Sequence, residues 1–307
     1  MHLVLQFLGI PQLSLDNKSV ATDRRKAIAL LAYLAVNDLG HPPQRYSRQA
    51  LSALLWPDYE QTKAFSNLRQ TIWEVRQALG ENWLIVDRES VQVNAGAEID
   101  LDVARFQDLL LKSSQQKDAG LRISLLVDAV KLYRDHFLTG FSLKDAHPFN
   151  DWAFAEAEEL RRKFAKALTL LVESYCTLKQ AEQAIPYARR LITLDPLNES
   201  SHRQLMQVYI QTGQHNAALK QYQTCEKILR RELGVDPQPE TRALYKQIRK
   251  GEFRQKEIDA PQHNIPLQLS TFIGSESEQN KITLATEGVT REKSERKQRT
   301  QLIRSET

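Results

Sequence analysis

Five apolar positions of this chain echo one another at an interval of 34 residues: Leu171, Tyr175, Ala184, Ala188 and Leu191 are followed by Leu205, Tyr209, Ala218, Tyr222 and Cys225. That period belongs to paired-helix repeats of the tetratricopeptide kind. A single helix pair cannot cover its own apolar face, so successive units must stack. The echo therefore predicts an all-α scaffold, with Ala184 and Ala218 small enough to let helix backbones approach. These positions read as core, which leaves recognition or chemistry to be sought elsewhere.

Apolar periodicity extends the helical region on both sides of the echo. It predicts helices over 102–113, 121–135, 151–178, 181–193, 199–211, 215–232 and 239–250. Asp195-Pro196 divides one pair and Gly213 the next, while Pro186 falls inside a predicted helix and calls for a kink or a later start. The pairs Arg161-Arg162, Arg189-Arg190 and Arg230-Arg231 read as solvated surface or as sites for acidic partners.

The first hundred residues have a different texture. Leu3, Leu5 and Phe7 alternate as a strand, 12–15 and 19–21 follow as two more, and a small antiparallel sheet is expected. An apolar stripe then predicts a helix over 23–37, with Thr22 or Asp23 to cap it. Gly40-His41-Pro42-Pro43 interrupts it. Ser47 caps a short helix over 48–55 that ends before Trp56-Pro57, because a residue preceding proline avoids helical angles. A third helix spans 62–79 and closes at Gly80. Residues 83–86 and 91–93, joined by a polar turn at 87–90, read as a hairpin.

Sheet, three helices and hairpin together describe a winged helix-turn-helix. A helix that enters the major groove needs an apolar back and a polar front. Phe65, Leu68, Ile72, Val75 and Leu79 supply the back. Lys63, Asn67, Gln70 and Thr71 stand among the candidates for the front: the amides suit adenine, and Lys63 suits phosphate or guanine. Arg69 and Arg76, seven residues apart, are candidate phosphate contacts. Arg88 at the hairpin tip is a candidate for backbone or minor-groove contact, and Arg25, in the cluster Arg24-Arg25-Lys26, for phosphate at a helix start. The bland alternatives are solvation of this face and pairing of its arginines with nearby acids.

Composition narrows the classes. Residues 1–100 carry 10 Lys/Arg against 11 Asp/Glu, so any surface for a polyanion must be local. No run approaches the roughly 20 apolar residues that span a bilayer, and the chain reads as cytoplasmic without membrane attachment. Cys176 and Cys225 lack ligand spacing and read as structural thiols. None of the seven histidines forms a recognisable metal pair. Catalytic residues, metal and cofactor are accordingly expected to be none, and the chain is expected not to be an enzyme.

Specific runs carry a family resemblance. Arg25-Lys26 with Leu30-Leu31-Ala32-Tyr33-Leu34, Leu54-Leu55-Trp56-Pro57, Asn67-Leu68-Arg69-Gln70 and Val75-Arg76-Gln77-Ala78-Leu79 are joined by Asp100-Leu101-Asp102, Leu132-Tyr133-Arg134 and Phe137-Leu138. The run from Leu229 to Pro237, followed by Pro239-Glu240-Thr241, completes the set. Over about residues 1–251 the chain resembles the streptomycete antibiotic regulatory protein type of bacterial activator. The resemblance implies a mixed fold: an α+β winged helix-turn-helix over 1–97 and an all-α tetratricopeptide-like bacterial transcriptional activator domain over 98–251. It implies binding to double-stranded DNA through the third helix and the wing, contact with RNA polymerase, and a homodimer assembled through or with the repeats. Trp73 and Glu74 depart from the small and basic residues common at that stretch. Pro266 to Phe272 with Ile273-Gly274 resembles the opening of a nucleotide-binding domain, but no G-x-x-x-x-G-K-S/T cradle follows. Residues 252–307 are therefore expected to form a flexible linker and tail. The competing reading is an adaptor that binds proteins through its repeats and has lost contact with DNA.

Overall fold

The computed structural model describes residues 2–20, 24–38, 44–94 and 96–252. The expectations placed on Thr22 and Asp23, on 40–43 and on the tail from 253 lie outside them. Residues 1–255 cluster as one compact unit.

β1 (His2–Gln6) buries alternate residues, as a strand with one core face must. It pairs antiparallel with β2 (Gln12–Leu15), and β2 pairs with β3 (Lys18–Ser19). The sheet is not purely antiparallel as expected. Its fourth strand, β7 (Glu98–Leu101), joins the other edge of β1 in parallel, giving the order β3-β2-β1-β7. Parallel neighbours need a long crossover, and three helices and a hairpin supply it.

That crossover starts with α1 (Arg25–Asp38), an almost continuous apolar run buried on most sides. Two residues, β4 (Tyr46–Ser47), lead into α2 (Arg48–Leu55), whose first turn is capped by Ser47 Oγ accepting from Ala50 N at 3.1 Å. α3 (Gln61–Leu79) stops at Gly80, where a φ of 94° suits glycine. Trp83 sits in a short 3-10 turn rather than in the hairpin, buried, with its indole donating to Leu79 O at 2.6 Å. β5 (Leu84–Val86) and β6 (Ser90–Val93) form the hairpin, and β4 adds a third strand beside β6.

The rest of the described chain is helical: α4 (Asp102–Gln115), α5 (Ala119–Leu132), α6 (His147–Thr177), α7 (Ala181–Leu194), α8 (Glu199–Gln211), α9 (His215–Leu233) and α10 (Pro239–Lys250). α6 begins earlier than expected because Pro148, free of any N–H to satisfy, fits its first turn. α7 runs through Pro186 without a late start. From α6 to α9 each helix packs on the next. All ten echo positions are buried.

The echo also reaches the backbone. Between α6 and α7, Lys179 takes a left-handed φ of 57°, and Gln180 N bonds Tyr175 O at 2.8 Å. Between α8 and α9, 34 residues on, Gly213 takes a φ of 70°, and Gln214 N bonds Tyr209 O at 2.7 Å.

A seam joins sheet and helices. Asp102, at the start of α4, accepts from Phe7 N and Leu8 N at 2.9 Å each and from Arg134 at 3.4 Å. Leu138 N returns to Phe7 O at 2.8 Å. Rings complete the joint: Trp152 of α6 lies edge-on to Tyr33 of α1 at 4.9 Å and to Phe137 at 5.8 Å. Such contacts fix the segment between α5 and α6 against the α1–α3 region.

Candidate nucleic-acid interface

The buried residues of α3 are Ala64, Leu68, Thr71, Ile72, Val75 and Leu79. On a 3.6-residue helix these leave Lys63, Ser66, Arg69, Gln70, Trp73 and Gln77 facing solvent, and each is exposed. One site expectation is thereby corrected. Thr71 is only 4% exposed, because it lies three residues after Leu68 and four before Val75, inside the packed stripe. Little of its side chain is left for an outside partner to touch.

The other expected positions divide. Arg69 and Arg88 are exposed and, among the described residues, make no hydrogen bond or ion pair. Lys63 is exposed with its ammonium 4.8 Å from the Tyr59 ring. Gln70 is exposed but already donates to Glu74 Oε1 at 2.9 Å. Asn67 lies half-buried on one flank of the helix. Arg76 is half-buried on the other, its Nε enclosed without a partner. Arg25 faces Asn67 and Gln70 across a cleft, with its guanidinium committed to Ser142 O at 3.1 and 2.7 Å and 4.8 Å from the Phe141 ring.

The tip of the β5–β6 hairpin is preorganised. Asp87 accepts from Glu89 N, Ser90 N and Ser90 Oγ at 2.6–2.8 Å, and those bonds hold its carboxyl below the usual range. Arg48 N bonds Glu89 O at 2.8 Å, tying the tip to the start of α2. Arg88 thus projects from a braced turn.

Sequence reasoning missed the cleft of about 610 Å³ along the Asn67 flank. Its walls are Arg24, Arg25, Lys26 and Trp56 on one side, Asn67, Gln70, Thr71 and Glu74 on another, and residues 142–145 on the third. Arg24 pairs with Glu74, and Lys26 pairs with Asp145 at 2.9 Å. The basic run at 24–26 was visible in the sequence. Its partners were not, since 142–145 lies more than a hundred residues away.

Other reactive groups are enclosed. Burial pushes the Cys225 thiol up to about 11 and raises that of Cys176, which leaves little thiolate near neutrality. Among the described residues, no three His, Cys, Asp or Glu side chains are placed to hold a metal ion, and no helix is long and apolar enough to cross a membrane.

Residues 101–249 match the family described as the bacterial transcriptional activator domain. That match runs through the helices from α4 into α10. Among similar proteins, the transcriptional regulatory protein MoaR1 of Mycobacterium tuberculosis is 25% identical over 248 residues, which cover 75% of this chain and 73% of that one. The regulatory protein AfsR of Streptomyces coelicolor is 25% identical over 250 residues, covering 80% of this chain but 24% of AfsR. A solved structure of Mycobacterium tuberculosis EmbR, in complex with a low affinity phosphopeptide, shares the fold at a TM-score of 0.62 and 22% identity. That match covers 81% of this chain and 65% of the EmbR chain. MoaR1 and AfsR are named for regulation.

Proposed function

We propose that the chain is a sequence-specific DNA-binding transcriptional activator. Residues 1–97 act as a winged helix-turn-helix, with α3 in the major groove and the Arg88 turn as the wing. The region 98–251, helical from α4 onward, acts as a tetratricopeptide-like platform that recruits RNA polymerase and pairs two protomers. A regulator of this kind works in the cytoplasm. The observation that carries the reading is the front of α3: Lys63, Ser66, Arg69, Gln70 and Gln77 stand exposed together on a helix whose back is locked into the core. The transcriptional regulators among its relatives support the same reading.

Footprinting on DNA upstream of the protein's own gene and neighbouring promoters, at two salt concentrations, tests it. Gln70→Ala is expected to weaken specific binding by about 1–3 kcal/mol while sparing non-specific binding, with a smaller loss for Asn67→Ala on the flank. Arg69→Ala is expected to weaken both and to lower the salt slope by about 0.9. No protected site on any promoter, or unchanged affinity and slope in all three variants, would leave the adaptor as the better reading.

A further inference from the structure

We infer that the DNA-contacting surface extends out of the α1–α3 region into the segment between α5 and α6, where Lys144 contacts the phosphate backbone. The inference rests on the DNA-binding reading above and names a contact that the reading does not require. A helix lying in the major groove has a phosphodiester backbone on either side of it. On the Asn67 flank of α3, the surface next to the helix is the cleft, whose far wall is 142–145. A strand passing along that flank runs over the first turn of α1 and this segment.

Charge on the cleft favours such a strand. Arg24, Arg25, Lys26 and Lys144 face it, against Glu74 and Asp145. Glu74 is occupied by Arg24 and Asp145 by Lys26. Lys144 is exposed and has no bonding partner among the described residues, so its ammonium is available to an outside anion.

The segment is also held in place. Arg25 bonds Ser142 O, Leu143 is buried, and Asn150 clamps Leu143 from both sides, accepting from its N at 2.9 Å and donating to its O at 2.7 Å. Lys26 fixes Asp145. With its neighbours on both sides pinned, the Lys144 backbone has little ordering entropy left to lose on binding. A cation presented this way contributes to affinity on any sequence and carries no base preference.

The test uses the full chain and a duplex carrying its footprinted site. Titrations across salt compare wild type with Lys144→Ala, Lys144→Glu and Lys144→Arg, with Gln70→Ala and Lys220→Ala alongside. Lys144→Ala is expected to lower affinity about 3-fold or more on specific and random duplexes alike, and to reduce the salt slope by about 0.9. Lys144→Glu should lose more, Lys144→Arg should retain binding, and Lys220→Ala, exposed on α9, should be unchanged. As a second measurement, bound duplex should protect Lys144 from acetylation, read by mass spectrometry. If Gln70→Ala weakens specific binding while the Lys144 variants keep the wild-type slope and Lys144 acetylates freely, the inference is overturned and the DNA-binding reading stands. If no duplex is bound at all, both are overturned.

Discussion

Most arginines of the helical half and the exposed pair on α3 and the β5–β6 hairpin are treated in opposite ways. In the helical half most turn inward or toward local acids, Arg122, Arg242 and Arg249 excepted. Arg190 donates to Val130 O at 3.1 Å and to Tyr133 O, with its guanidinium 4.5 Å from the Phe164 ring. Arg189 reaches the Tyr209 hydroxyl at 2.8 Å, Arg161 and Arg162 hold Glu158 and Glu159, and Arg230 holds Asp236. On α3 and the β5–β6 hairpin, Arg69 and Arg88 make no such bond among the described residues. The difference teaches that overall charge is a poor guide to where free cations stand. The half with more surplus basic residues has used much of it internally, and the nearly neutral half leaves Arg69 and Arg88 free while Arg24, Arg25 and Lys26 are engaged.

The strongest way to break that comparison is to remove one arginine from each side. Arg190→Ala leaves two backbone carbonyls without their donor and strips packing from Phe164. We expect a loss of about 2–4 kcal/mol in urea unfolding, with DNA affinity per folded molecule and its salt slope unchanged. Arg69→Ala should do the reverse, leaving stability within about 0.5 kcal/mol and lowering the salt slope. Equal stability losses in the two variants would erase the distinction.

Next in size is a pH effect confined to the helical half. His202 is fully buried in α8, with Nε2 at 2.9 Å from Pro196 O and Nδ1 at 2.7 Å from the Gln221 amide nitrogen. A carbonyl only accepts and an amide nitrogen only donates, so the ring is neutral with its proton on Nε2. Burial lowers its pKa below the ordinary imidazole value. The unfolded chain therefore binds the proton first. His202 contributes fully above the unfolded pKa of about 6.5, and that contribution is lost as pH falls through the lower folded value. Urea midpoints measured from about pH 7.5 down to 5.5 should fall in wild type and fall less in His202→Gln. Parallel falls in the two proteins would assign the titration elsewhere.

How much was legible in the sequence differs between the regions for a physical reason. In the helical half one period of 34 residues sets both helix pairing and burial, so ten echo positions identified the core. Around α3 the same wheel placed the apolar stripe on Phe65, Leu68, Ile72, Val75 and Leu79. Packing against α1 and α2 keeps the last four buried and rotates the stripe slightly toward Ala64. That rotation buries Thr71 and leaves Phe65 half-buried. β7 alternates like a strand, but nothing local selects β1 as its parallel partner, and the two-residue β4 is too short to alternate at all. The cleft was hidden for the same reason: its third wall arrives through long-range packing.

The smallest expected effect sharpens the comparison within the repeats themselves. Lys179 and Gly213 occupy equivalent turns, both left-handed, yet only the second is glycine. A side chain carrying a Cβ costs roughly 1 kcal/mol in that region, and no heavy atom lies within 4 Å of a Cβ built at Gly213. Backbone conformation alone should therefore decide the sign. Gly213→Ala is expected to destabilise by about 1 kcal/mol, while Lys179→Gly should stabilise by a few tenths, since flexibility gained by the unfolded chain offsets part of the relief. Opposite shifts in the urea midpoint would establish the two turns as copies of one design. Destabilisation by Lys179→Gly instead would mean that the lysine side chain contributes something that its glycine counterpart lacks.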